Sequence, residues 1–287
     1  MLRRWVTMKS GAMIALAATG WLLTTPETVK ALDTRSGLGT VATQHGTVKL
    51  ILAERDGKSA DITAGVQIKL KPGWKTYWRT PGDSGIPPSF DWSRSRNLEK
   101  AEIKWPVPQR FTEHGETIYG YRDEVVFPVS VWPKNSDEPV KLSLSLFYAV
   151  CREICVPVQA DVQVETDAAG RDNEGIDSLR RFEAMVPQAQ VDGLDIAGLA
   201  LDDSTAEPAL KVTLKTIDAD TPIEIFVESE RSGAGFGAPE QVATKQDLRE
   251  FRIPIEAGAL ARGKAVGALT ITAVQGKKAL ARKLQVE

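Results

Sequence analysis

The sequence predicts an all-β protein: two β-sandwiches in tandem with a short connecting helix. Three observations carry this expectation. Short runs of alternating β-formers are broken by Gly- and Pro-bearing turns, aromatic residues are spread unevenly, and a polar Gly-bearing stretch separates the two halves.

Residues 1–31 stand apart from that pattern. Arg3, Arg4 and Lys9 precede an apolar run over residues 11–23, and Val29-Lys30-Ala31 offers small residues at the positions a signal peptidase reads. This is the three-part layout of a secretory signal peptide. The apolar run is about 13 residues, short of the roughly 20 that a spanning helix needs, so cleavage and export are expected rather than anchoring. Loss of Arg3, Arg4, Lys9, Lys30 and Glu27 from 36 basic and 38 acidic side chains leaves a net charge of about −5. A mildly acidic surface gives no reason to expect nucleic acid or an anionic membrane as partner.

The first sandwich is expected over 32–166. Residues 48–53, 66–70, 125–132, 141–146 and 158–164 combine β-formers with period-two alternation, and Lys71-Pro72-Gly73, residues 80–88 and Pro133-Lys134-Asn135 read as turns between them. All four Tyr (77, 119, 121, 148) and the five Trp beyond the leader (74, 78, 92, 105, 132) precede Cys151, and none follows it. The two halves therefore have different cores. Residues 167–190 read as a linker and a short amphipathic helix, with Asp177 or Ser178 as N-cap, Leu179, Phe182 and Met185 on one face, and Pro187 helping to end it. A second sandwich over 191–287 follows from the same alternation at 210–214, 223–227, 251–255 and 269–274.

The chemistry points to Cys151 and Cys155. One ends an alternating run and the other opens the next, so Arg152-Glu153-Ile154 forms the tip of a hairpin with a three-residue loop. Facing positions beside such a loop lie about 5.5 Å apart between Cα atoms, which suits a disulfide. An accessible disulfide in so short a loop is open to a partner's thiolate, and a redox site is the leading expectation. A structural staple and a copper-handling pair of thiols stay open beside it. A ring of about five residues stabilises by only roughly 2 kcal/mol on the chain-entropy model, which favours exchange over the staple.

Three stretches together resemble a known family: Gly73-Trp74-Lys75-Thr76-Tyr77-Trp78-Arg79-Thr80-Pro81-Gly82-Asp83-Ser84-Gly85, then Glu116-Thr117-Ile118-Tyr119-Gly120-Tyr121, then the cysteine hairpin with Pro157. They resemble the N-terminal periplasmic domain of the thiol-disulfide interchange protein DsbD, and more closely its copper-sensitivity-suppressor branch, ScsB, over about residues 40–165. The resemblance implies that the first sandwich is immunoglobulin-like and periplasmic. It also implies that Cys151 and Cys155 exchange electrons with thioredoxin-fold oxidoreductases, the downstream thiol forming the mixed disulfide. Three residues separate the cysteines here, against five in the best-known DsbD domains. Full-length members continue into a membrane domain and a thioredoxin-like domain, so a stand-alone carrier would draw on a separate membrane electron donor.

By the same resemblance Ile118 and Tyr119 fall in a cap loop that covers the cysteines until a partner docks, the alternative being a turn whose Tyr packs on the sandwich. Trp74, Tyr77 and Trp78 are candidates for a docking surface as well as for the core. His45 and His114 are the only histidines, too few for a His-based metal centre, although His114 with two thiolates would suit Cu(I). No cofactor or resident metal is expected. The chain has no Gly-rich phosphate loop before a helix, no Gly-x-Ser-x-Gly elbow and no His-Glu-x-x-His run.

Overall fold

The computed structural model describes residues 39–53, 61–113, 115–167, 172–202, 207–218, 220–230, 235–256 and 267–286; the expected signal peptide and His114 lie outside them. The first strands are β1 (Thr40–Thr43), β2 (Gly46–Leu52), β3 (Ile62–Leu70), β4 (Lys75–Gly82), β5 (Ser89–Asp91) and β6 (Leu98–Ile103). Then come β7 (Gln109–Glu113), β8 (Glu116–Arg122), β9 (Glu124–Pro133), β10 (Lys141–Cys151) and β11 (Cys155–Glu165). Helix α1 (Asn173–Glu183) precedes β12 (Asp195–Asp202), β13 (Ala209–Lys215), β14 (Ile223–Ser229), β15 (Glu240–Lys245), β16 (Leu248–Pro254), β17 (Ala268–Gln275) and β18 (Lys278–Gln285). The fold is all-β, with two sandwiches in tandem.

In the first sandwich a sheet of order β1-β2-β3-β9-β6 faces one of order β11-β10-β4-β8-β7, with β5 added on β10. Alternation explains the facing: Val48 and Leu50, Val66 and Ile68, and Phe127 and Val129 all point into one buried layer. Trp78, Tyr121 and Tyr148 enter it too, and Phe127 meets Phe90, Trp105 and Tyr121 edge-on at 5.0–5.5 Å. Hence the aromatic bias of the first half. Burial drives the Tyr121 phenol well above its ordinary range, and its hydroxyl donates to the Pro106 carbonyl at 2.7 Å. The second sandwich sets β12-β13-β16-β15 against β14-β17-β18 around an aliphatic core that includes Val212, Ile253 and Ile271.

The helix begins earlier than expected. Asp172, within the expected linker, is its N-cap, its Oδ1 accepting from the Gly175 amide at 3.1 Å. Gly175, Ser178, Leu179 and Phe182 are the buried stripe, while Met185 lies beyond the helix and is exposed. Asp177 and Ser178, taken from sequence as caps, sit inside it because Asp172 satisfies the first turn. The stripe packs on the outer side of the β2-β3-β9 sheet, where Gly65 leaves room: a Cβ there would lie 3.0 Å from Leu179 and 2.9 Å from Val126. Lys49 to Asp172 at 2.6 Å and Arg181 to Glu124 at 2.7 Å fasten its two ends.

Strand β14 presents different chemistry on its two faces. Ile225 and Val227 enter the second core. Between them Phe226, 1% exposed, enters the first, its ring 5.8 Å from Trp78 and 5.4 Å from Tyr119. Glu228 on that face takes two 2.7 Å hydrogen bonds from Arg79 and one of 2.9 Å from Thr80. The Arg110 guanidinium donates to the Ile225 carbonyl at 2.9 Å and lies 5.7 Å from the Phe226 ring.

Candidate functional site

Strands β10 and β11 pair without a bulge from Lys141 opposite Glu165 to Cys151 opposite Cys155. The pleat then points both cysteine side chains to the outer face of the sheet. They are joined in a disulfide between direct register partners, with Cα atoms 4.1 Å apart, closer than the distance of about 5.5 Å expected from sequence. The two sulfurs are not equivalent. Cys151 is 6% exposed, whereas Cys155 is exposed beside the turn Arg152-Glu153-Ile154. At the tip of that turn, Ile154 is 76% exposed.

Cys151 is also the register partner of Lys75 on β4, so the outer face of β4 supplies Lys75 and Tyr77 while Thr76 and Trp78 point inward. Tyr77, Ile118, Ala149 and Cys151 form one buried cluster, with Phe111 packed against it. The Tyr77 hydroxyl lies 2.9 Å from the Cys155 Sγ. A disulfide sulfur carries no proton, so the phenol donates. Burial first, then the neighbouring Glu113 and Glu116 carboxylates, raise the Tyr77 phenol above its ordinary value and keep it a donor.

The loop after β4 closes over this tyrosine. Gly85, at φ +139°, lies so near that a Cβ would come within 2.5 Å of the Tyr77 ring. Asp83 ties the loop to β8: its amide donates to the Thr117 carbonyl at 2.9 Å and its Oδ2 accepts from the Thr117 amide at 2.6 Å. Ser84 donates to Glu116 Oε2 at 2.7 Å.

The cap pair anticipated from sequence is divided by strand alternation. Ile118 and Tyr119 belong to β8 rather than to a loop. Ile118 lies in the cysteine cluster, but Tyr119 turns to the other face and packs edge-on with Trp78 and Phe226. The aromatic group at the sulfur is Tyr77. Of the docking candidates, Tyr77 and Trp78 are buried, and Trp74 is half-buried with its ring centroid 4.1 Å from that of His45. None offers a free aromatic surface. Lys75, Glu113, Phe111 and Gly85 were not anticipated. A lysine two residues before a tyrosine in an aromatic strand was the available signal, since period two places both on one face. Among the described residues, no group of three or more His, Cys, Asp or Glu side chains is placed to hold a metal ion.

This arrangement can exchange one disulfide for another. In such an exchange, a thiolate bonding to the exposed Cys155 sulfur would expel Cys151 as the leaving thiolate. Tyr77→Phe removes only the donor. In the reduced protein, loss of a hydrogen bond to a charged sulfur, about 1.5 kcal/mol or more, should slow alkylation of Cys155 by iodoacetamide at neutral pH roughly tenfold. An unchanged rate would show that the hydroxyl plays no part in activating the thiol.

The first half is thus an immunoglobulin-like sandwich with a cysteine pair across the mouth of a hairpin. Residues 47–167 match the family described as thiol:disulfide interchange protein DsbD, N-terminal. The crystal structure of the N-terminal periplasmic domain of ScsB from Proteus mirabilis is similar over 86% of this chain and 97% of that one, with a TM-score of 0.69 and 22% identity. That likeness reaches across both sandwiches and bears on the fold. No curated protein matches the chain.

Proposed function

We propose that this protein is a periplasmic electron carrier that passes reducing equivalents between thioredoxin-fold oxidoreductases through Cys151 and Cys155, drawing on a separate membrane electron donor. The observation that carries the reading is the asymmetry of the pair: Cys155 is exposed and Cys151 is buried. A staple needs no such difference, whereas exchange needs one reachable sulfur and one leaving group. The amino-terminal layout, a basic segment followed by a short apolar run, supports export. No helix among the described residues is long and apolar enough to cross a membrane.

The test is reduction of the oxidised protein by a reduced thioredoxin-fold protein, followed by titration of its potential. The expected result is rapid reduction at a potential above the roughly −300 mV of structural disulfides. Inertness, with a potential well below that, would return the pair to a structural role. Tight Cu(I) binding by the reduced thiols without measurable exchange would turn the reading to copper handling, for which soft sulfur donors are suited.

A further inference from the structure

Opening the disulfide creates a problem that the site must solve. When a partner thiolate bonds to the Cys155 sulfur, the Cys151–Cys155 bond breaks and its electron pair stays on Cys151 as a thiolate. That anion arises on a residue 6% exposed, where water can do little to solvate it. A nearby positive charge is the usual remedy.

Lys75 is 3% exposed. A lysine in such a position costs desolvation unless something compensates. Its strand position is directly opposite Cys151, and cross-strand partners have Cβ atoms about 4.5–5.5 Å apart. Its ammonium forms an ion pair with Glu113 and lies 6.0 Å from the centroid of Phe111, the ring that packs on the Cys151 cluster. Charges sharing an apolar patch interact far more strongly than in water. The other charged groups on this face are Arg122, 5.1 Å from the Phe111 ring, Glu116 near Tyr77, and Arg152 and Glu153 in the exposed turn.

We propose that Lys75 is the charge that stabilises the Cys151 thiolate when the disulfide opens, and that Glu113 is the counter-charge that limits its effect. The proposal rests on the exchange reading and adds to it the group that makes Cys151 a competent leaving sulfur. It makes Glu113 and Lys75 opposite in sign, which a purely structural ion pair is not.

The experiment uses the full chain carrying Cys155→Ser, so that the ultraviolet absorbance of the remaining thiolate follows Cys151 alone as pH is varied. Lys75→Met should move the titration midpoint up, Glu113→Gln should move it down, and Lys75→Arg should restore the parental midpoint. In the two-cysteine protein, opening by reduced glutathione at neutral pH should slow on the order of tenfold in Lys75→Met and quicken in Glu113→Gln. If Lys75→Met does not fold, Glu113→Gln decides by the sign of its shift. Midpoints that stay fixed, or that move the same way in both variants, overturn the proposal. The carrier reading fails separately: a parent protein inert toward thioredoxin-fold reductants would sink it, while the Cys151 titration would still report on Lys75.

Discussion

Cys151→Ser is expected to accumulate a mixed disulfide through Cys155 with a thioredoxin-fold partner whose one remaining active-site cysteine is activated as its thionitrobenzoate disulfide, the Cys155 thiolate bonding to the partner sulfur and expelling thionitrobenzoate. Cys155→Ser is expected to accumulate far less, and neither variant should turn over. The reason is access. Cys155 stands beside an exposed turn, whereas Cys151 is covered by the cluster of Tyr77, Ile118 and Ala149. Attack needs an open line to the sulfur as much as it needs a good thiolate. Non-reducing electrophoresis followed by mass spectrometry of the cross-linked peptide reads the result directly. Trapping chiefly through Cys151 would mean that the covered sulfur is the reactive one and that the cluster opens before exchange.

Phe226→Ala carries the largest expected effect on stability. The ring is almost wholly buried in the core of the first sandwich although its strand belongs to the second. Removing a buried phenyl group costs about 3–5 kcal/mol, counting both lost transfer energy and the cavity left behind. A urea melt should show this as a lower midpoint at unchanged slope. Glu228→Ala should cost less, because the Arg79 side chain with which it pairs is 37% exposed and water can take over part of the interaction. A loss below about 1 kcal/mol for Phe226→Ala would show that the surrounding rings close the gap.

Much of this arrangement could be read from the chain, and the misses have particular causes. Strands such as β11 and β13 were legible because one face meets a core and the other does not, which writes period two into the residues. The hairpin tip was legible because two alternating runs met at a three-residue gap. Tyr119 was misplaced because a motif assigns neighbouring residues one role, while a strand sends Ile118 and Tyr119 to opposite faces. Lys75 escaped notice because a lysine in a strand reads as solvated, and only the register that brings β7, β8 and β10 around it reveals the burial. Phe226 sits at an outward position of its strand, an apolar residue between Glu224 and Glu228. That out-of-phase aromatic was the one sequence trace of the contact between the halves. Its partner surface, Trp78 and Tyr119, lies more than a hundred residues away, and nothing local could name it.

The ring of Phe226 also bears on how the chain can be divided. The segment that matches the family ends at 167, some sixty residues before the side chain that completes its interior. Cut there, the amino-terminal sandwich would lose both the helix covering one sheet and the plug filling its centre. Trp78 and Tyr119 would then face water across a vacant socket, a surface that invites self-association. In the intact protein the same plug couples the two halves energetically, so they should melt together in a single cooperative transition. What the sequence presents as two beads on a string should behave as one folding unit whose carboxy-terminal half is a built-in cofolding partner of the disulfide-bearing sandwich.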